Sequence, residues 1–374
     1  MNRSEYREYA AKGAVNRGNR QSIRLCMRRA MAGDTLTLGF LGGSITQGSR
    51  ASSPENCYAS LVCDWWKRTF PKAGFAYLNA GVGGTTSQFG VARVREDLLT
   101  ARPDFVVVEF SVNDDPTDFY EETYEGLIRA IEESNPCPAV LLLHNVRYDS
   151  GVSAETQHAA IGKAYQLPCV SMKPSLYRAV QDGTVSVAEI SPDGLHPNDF
   201  GHRLIADTVN YFLEEIRLDL RTEERLEPLP PPVTPNRFQH SRRLQNSNCI
   251  PENCSGFVAD HRAQNGVRDC FKHGWTASRA GASIMFRTKG TGFAVQYRKS
   301  MQHPAPVATA VLDGDEAHAV TLDGNFDETW GDSLSVTNIA RDLTDQTHCL
   351  EVRVVEADAE PTADFYLVSV IVSG

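Results

Sequence analysis

A chain of 374 residues is longer than one ordinary hydrophobic core organises, and it points to two domains. Its 41% hydrophobic and 22% charged content exclude a disordered or fibrous chain. Its net charge of −10 argues against nucleic acid as a partner, because phosphate binding needs a basic face.

The first thirty residues are polar and charged, with no apolar h-region, so the expectation is a protein that is not secreted. No run of about 18 apolar residues occurs, which excludes a helical membrane span and a membrane partner. The nine cysteines are odd in number and contain no C-x-x-C pair; with the polar N-terminus they read as reduced thiols of a cytoplasmic protein. Cys249 and Cys254 are close enough for a bridge or a metal clip, but no histidine falls at finger-like spacing, so no metal is expected.

Strands are predicted over 35–41, 75–81, 104–111, 139–145 and 167–172, all nearly continuous apolar runs. Amphipathic helices are predicted over 54–70, 86–101, 120–134 and 198–216; the first is opened by Ser53 as cap with Pro54 in its first turn. This alternation predicts an α/β domain: a three-layer fold whose parallel sheet is covered on both faces. "RLEPLPPPVTPNRF" then packs Pro228, Pro230, Pro231, Pro232 and Pro235 into eight residues, which neither a helix nor a central strand accommodates. Such a segment reads as a stiff, extended connector. Beyond it, short alternating runs separated by Gly, Asp and Asn turns predict an all-β sandwich or jelly roll. The domain organisation is therefore 1–220 catalytic with an N-terminal helical segment, 221–236 linker, and 237–374 β-sandwich.

Two serines compete for the role of nucleophile. Ser333 lies in Gly331-Asp332-Ser333-Leu334, after a polar turn, with neither a base nor a Gly-rich turn beside it. Ser44 directly follows the first strand in "GGSITQG", where Gly42 and Gly43 allow a sharp turn and bring amide groups toward a substrate. A phosphate cradle is the competing reading of such a turn, but neither G-x-x-x-x-G-K-[ST] nor G-x-G-x-x-G is present, and Thr46 breaks G-x-S-x-G. Ser44 is the candidate nucleophile.

Three other stretches supply what a weak nucleophile needs. "NAGVGGTTSQFG" follows the second strand and offers the backbone N–H of Gly84. "EFSVNDD" follows the third and offers the Asn113 side-chain amide, with Asp114 and Asp115 shaping the loop. "SPDGLHPND" places Asp193 three residues before His196, so that one local turn holds carboxylate against imidazole. His202, within the last helix, reads as a structural capping or packing partner.

In the blocks "GGSITQG", "NAGVGGTTSQ", "SVND" and "DGLHPN", over about residues 35–215, the chain resembles the SGNH hydrolases, the wider family that contains the GDSL esterases. The third block usually reads G-x-N-D, and here Ser111 stands where glycine is expected. The resemblance implies a catalytic triad of Ser44, Asp193 and His196, an oxyanion hole of Ser44, Gly84 and Asn113, and no cofactor. With its C-terminal β-sandwich the chain resembles two-domain acetyl esterases of gut and rumen bacteria. That implies removal of acetyl groups from mannan or xylan oligosaccharides as the substrate partner, and a homo-oligomer. Trp330, on a turn-rich loop with no alternation to bury it, is the candidate platform for a sugar ring. A lipid or thioester acyl hydrolase is the alternative activity, and a non-catalytic sugar-binding protein is the second alternative.

Overall fold

The computed structural model describes residues 3–358 and 362–374. Two compact units divide between Asn236 and Arg237.

In the first unit the helices are α1 (Arg3–Ala10), α2 (Gln21–Ala32), α3 (Ser44–Gln47), α4 (Tyr58–Thr69), α5 (Ser87–Asp97), α6 (Asp118–Glu132), α7 (Glu155–Ala164), α8 (Arg178–Gln181), α9 (Val187–Ile190) and α10 (Asp199–Leu218). The strands are β1 (Ala14–Asn16), β2 (Thr35–Gly42), β3 (Gly74–Gly81), β4 (Phe105–Glu109), β5 (Ala139–His144) and β6 (Cys169–Ser171), in the spatial order β1-β6-β5-β4-β2-β3. Strands β2 to β6 are parallel. The exception to the expected parallel sheet is β1, a short antiparallel edge strand on β6. Leu36, Leu38 and Phe40 of β2 and Phe105 and Val107 of β4 face a core shared with Met27, Trp66, Leu204 and Phe212 of the helices. Alternate residues such as Val106, Val108 and Leu142 are equally buried toward the face that carries α5, α6 and α7. Both faces of the central strands β4 and β5 are dry, which is why these strands read as unbroken apolar runs.

The order of the strands fixes where a ligand can sit. After β2 the chain moves to one side for β3, then crosses back to the other side of β2 for β4. At such a switch point the loops leaving the strands diverge and open a crevice at their carboxyl ends.

Two local expectations are corrected. Ser53 precedes only a 3-10 turn, Pro54–Asn56, and makes no side-chain capping bond; α4 starts at Tyr58. The short α7, between β5 and β6, has no counterpart among the expected helices, because its apolar stripe is narrow: only His158, Ile161 and Gly162 are buried.

The proline-rich segment is fastened to the first unit. The buried Glu125 carboxylate accepts the backbone N–H groups of Val233 (2.7 Å) and Thr234 (2.8 Å), and Arg129 donates to the Pro230 carbonyl at 2.8 Å. Prolines remove backbone donors, so this segment is held by the few amides it retains.

The second unit is an antiparallel sandwich of β7 (Arg242–Leu244), β8 (Asn253–Ser255), β9 (Val258–Ala259), β10 (Trp275–Ala277), β11 (Ser283–Gly290), β12 (Gly292–Lys299), β13 (Val307–Leu312), β14 (Val320–Asp323), β15 (Ser333–Ala340), β16 (Gln346–Glu356) and β17 (Phe365–Ser373). One sheet runs β15-β12-β17-β10-β9, with β7 also on β17; the other runs β14-β13-β16-β11-β8. The alternation of β16 sends Leu350, Val352 and Val354 into a core with Trp275, Phe286 and Phe293, which is the period of a sheet with one wet face. Cys249 and Cys254 are free thiols. Among the described residues no helix is long and apolar enough to cross a membrane.

Candidate active site

Ser44 is the first residue of α3, immediately after β2, and is only 7% exposed. Three glycines make this turn possible. A side chain on Gly43 would strike the Asn113 amide, its Cβ falling 2.1 Å from Oδ1; one on Gly42 would strike the Glu109 carbonyl and Thr46; one on Gly81 would strike the backbone of Gln47. The neighbouring strands therefore approach the Ser44 turn at backbone distance.

His196 and Asp193 lie in the loop between α9 and α10. His196 Nε2 is 2.9 Å from Ser44 Oγ, and His196 Nδ1 is 2.9 Å from Asp193 Oδ2. The other carboxylate oxygen accepts the backbone N–H groups of His196 (2.8 Å) and Leu195 (3.1 Å). The three-residue spacing thus folds into a closed turn, with the carboxylate satisfied on both oxygens. Partial burial raises the Asp193 carboxyl, but the hydrogen bonds from the His196 ring and the two amides outweigh it and hold the group well below the usual carboxylate range. An ionised Asp193 fixes a proton on Nδ1 and leaves the Nε2 lone pair toward Ser44.

Gly84 follows β3 at φ +68°, a conformation that favours glycine, with open space where a Cβ would be. Asn113 follows β4, and its side-chain amide packs against Gly43 with Oδ1 buried. Ser44, Gly84, Asn113, Asp193 and His196 are all brought to the carboxyl edge of the sheet. Ser111, which replaces the expected glycine, is fully buried without positive φ, and its hydroxyl donates to the Asn145 carbonyl at 2.9 Å. Asp114 ties its loop to two helices: one oxygen accepts the Ser87 N–H at the start of α5 (2.8 Å), and the other meets His158 Nε2 of α7 at 3.0 Å.

His202 is buried in α10 and contacts neither Ser44 nor Asp193. Its Nδ1 accepts the Tyr58 N–H at 3.3 Å and its Nε2 donates to the Ser49 carbonyl at 3.2 Å, bracing the loop that leaves the Ser44 turn. Burial pushes its pKa down to about 4, so it is a neutral brace.

Four residues near this edge have roles that were not read from the sequence. Arg50 sits at φ +67° with its Nε 3.5 Å from Asp193 Oδ2. Thr46 donates to the fully buried Glu109, and the Ser191 hydroxyl donates to the His196 carbonyl at 2.8 Å. For Glu109 a signal was present: it is the one charged side chain inside the apolar run "FVVVEF".

Ser333 and Trp330 belong to the second unit. Ser333 opens β15 opposite Lys299. Trp330 is 65% exposed, with its ring edge-on to Phe326 at 5.0 Å.

The family described as GDSL-like lipase/acylhydrolase matches residues 40–204. The chain belongs to the GDSL/SGNH esterase superfamily and is an ester hydrolase. It is 51% identical to a two-domain esterase active on acetylated mannans, whose crystal structure with mannopentaose superposes with a TM-score of 0.94 over 98% of both chains. It is also 25% identical over 205 residues to an acetylxylan esterase of Geobacillus stearothermophilus, covering 47% of this chain and 92% of that protein. To the thioesterase 1/protease 1/lysophospholipase L1 of Escherichia coli K12 it is 27% identical over 188 residues, covering 48% of this chain and 83% of that one.

Proposed function

We propose that the protein is a serine carbohydrate esterase that removes O-acetyl groups from hemicellulose oligosaccharides, with acetylated mannan as the favoured substrate. The observation that carries this reading is the continuous hydrogen-bonded line from Asp193 through His196 to Ser44, with both links at 2.9 Å.

In this reading His196 Nε2 takes the proton of Ser44 as Oγ attacks the acetyl carbonyl. The oxyanion of the tetrahedral intermediate accepts the backbone N–H groups of Ser44 and Gly84 and the Asn113 Nδ2 amide. Collapse breaks the bond to the sugar oxygen, which leaves with the proton held by His196 and so departs as a hydroxyl. A water then gives its proton to His196 and attacks the acetyl-Ser44 carbonyl. Acetate departs, and Ser44 recovers its proton. Asp193 holds the imidazole in the productive tautomer and offsets its positive charge in both halves of the cycle.

The substrate class is supported by the likeness to the mannan esterase over 98% of the chain, both units included, whereas the thioesterase likeness covers 48%. Trp330 is assigned here as an aromatic platform for a sugar ring, since its exposed face is the kind of surface an apolar ring face seeks. A cytoplasmic location is supported by thiols such as Cys249 and Cys254, unpaired though only five residues apart.

Acetate release from acetylated mannan and xylan oligosaccharides, wild type beside Ser44→Ala, tests this. Release by wild type alone, faster from mannan, is the expected result. Cleavage of simple acyl esters with no release from either oligosaccharide would leave the hydrolase and remove the carbohydrate substrate.

A further inference from the structure

Glu109, the last residue of β4, is buried completely, and the cycle above makes no use of it. Its Oε2 accepts a hydrogen bond from the Thr46 hydroxyl at 3.2 Å, and the Asn145 side chain and the Gly43 N–H also favour its carboxylate. The Thr46 hydroxyl also meets the buried Tyr58 hydroxyl at 2.8 Å. A chain Tyr58 OH to Thr46 OH to Glu109 therefore ends on the carboxyl group. Such an arrangement stabilises a fold poorly: an apolar residue of similar size avoids the desolvation of a buried carboxyl, which outweighs its hydrogen bonds.

The position of the group is informative. Thr46 is two residues beyond Ser44 in the same short helix, and Glu109 is four residues before Asn113 on the same strand and loop. Glu109 also pairs with Gly42 in the sheet register, where a Cβ on Gly42 would fall 2.3 Å from Thr46 Oγ1 and 2.4 Å from the Glu109 carbonyl oxygen. One contact thus joins the segment that carries the nucleophile to the segment that carries an oxyanion donor, at the point where they pack most closely.

We propose that Glu109 is a positioning residue: through Thr46 and the Gly43 N–H it fixes the Gly43–Ser44 turn at its working distance from Asn113. This rests on the assignment of Ser44 and Asn113 above. The group touches no reacting atom, so its effect is on turnover through geometry. Burial, which outweighs its hydrogen bonds, pushes its pKa up to about 7. The titratable groups around it are Tyr58, Asp114, Tyr124 and Tyr148, and Arg93 binds the Gly42 carbonyl on the neighbouring strand.

The test compares wild type, Glu109→Leu, Glu109→Gln, Thr46→Val and the Leu/Val double variant, with Ser44→Ala as control. Turnover and KM are measured on p-nitrophenyl acetate and thermal midpoints on the same samples. Glu109→Leu and Thr46→Val are each expected to lower kcat by roughly 10- to 100-fold with KM little changed, as misplacement of about an ångström does. The double variant is expected to be no worse than Glu109→Leu alone, since that change already removes the Thr46 contact. Glu109→Gln, whose amide oxygen still accepts from Thr46, recovers most of the loss. Midpoints stay level or rise in Glu109→Leu. A purely structural Glu109 gives the opposite pairing, with kcat kept and the midpoint lowered, and that result overturns the proposal. If Glu109→Leu does not fold, Thr46→Val decides alone, and wild-type turnover in it overturns the proposal equally. An active Ser44→Ala removes the underlying assignment, and the inference with it; an inert Ser44→Ala beside fully active Glu109 and Thr46 variants removes only the inference.

Discussion

The turn at Ser44 and the tetrapeptide at Gly331–Leu334 each set a serine within two residues of a glycine, yet their surroundings share little. Around Ser44, Gly42, Gly43 and Gly81 admit neighbouring backbone to within contact, and His196 arrives from 152 residues away to meet the hydroxyl. At Ser333 the preceding Asp332 is occupied as a strand-end staple, accepting the Ser300 hydroxyl and the Met301 N–H at 3.1 Å each. The serine itself starts an edge strand opposite Lys299. A nucleophile is made by the position of a turn on a sheet and by groups delivered from elsewhere in the chain, and a four-letter string encodes neither.

The largest effect that can break this comparison is a pair of alanine variants. Ser44→Ala is expected to lower kcat on p-nitrophenyl acetate by on the order of 10⁵- to 10⁶-fold, as loss of a triad nucleophile does. Ser333→Ala is expected to stay within about twofold of wild type, the range of surface substitutions away from special features. A reversed pair would hand the chemistry to the tetrapeptide. Next in size, Asp193→Asn keeps the shape of the turn but favours the wrong imidazole tautomer, and a fall in kcat of about 10⁴-fold is expected. Asn113→Ala removes one oxyanion donor and is expected to lower kcat by roughly 10²- to 10³-fold with a smaller change in KM. Unchanged turnover in that variant would take Asn113 out of the site.

Much of this was legible in the sequence because the relevant signals are local. β2 to β6 are continuous apolar runs, and each of the Ser44, Gly84 and Asn113 loops follows one directly. The Asp193–His196 spacing is a single turn, whose closure needs only the two amides that Asp193 accepts. What could not be read is tertiary. The edge strand β1 has three residues and no pattern of its own, existing only because β6 offers it an unpaired side. The proline-rich segment reads as a free connector until Glu125, about a hundred residues earlier, is seen to hold its amides. Glu109 was visible as a charge inside a strand, but its partner Thr46 lies 63 residues away in another block.

A smaller effect sharpens the contrast between the two units. If Trp330 serves as a sugar platform, Trp330→Ala should raise KM for acetylated mannan oligosaccharides by roughly 2- to 10-fold, the scale of one aromatic contact, and leave hydrolysis of p-nitrophenyl acetate unchanged. Equal losses on both substrates would mean that the residue acts on the chemistry or the fold. No loss on either would remove it from substrate binding.

The smallest effect on activity, and a separate one on stability, comes from the buried imidazoles. His144, at the end of β5, is fully buried with neither ring nitrogen hydrogen-bonded, and burial pushes its pKa down from 6.5 to about 3. Between those values the unfolded chain binds a proton that the folded chain does not, so folding stability falls as pH drops below 6.5. By pH 4.5 the loss from this one group is on the order of 2–3 kcal/mol. His202, lowered to about 4, adds in the same direction. In the β unit the sign is opposite: hydrogen bonding to Asp313 raises His348, so its contribution is present in full at pH below the ordinary histidine value and is lost as pH rises through the raised one. The two buried histidines thus make the unit that carries Ser44 lose stability as the pH falls. His144→Leu removes the titrating ring and leaves no unmatched nitrogen. Its urea midpoint should equal or exceed that of wild type at pH 7 and fall distinctly less between pH 7 and pH 4.5, while turnover at pH 7 is unchanged. Midpoints of the two proteins that fall in parallel would show that the acid sensitivity arises elsewhere.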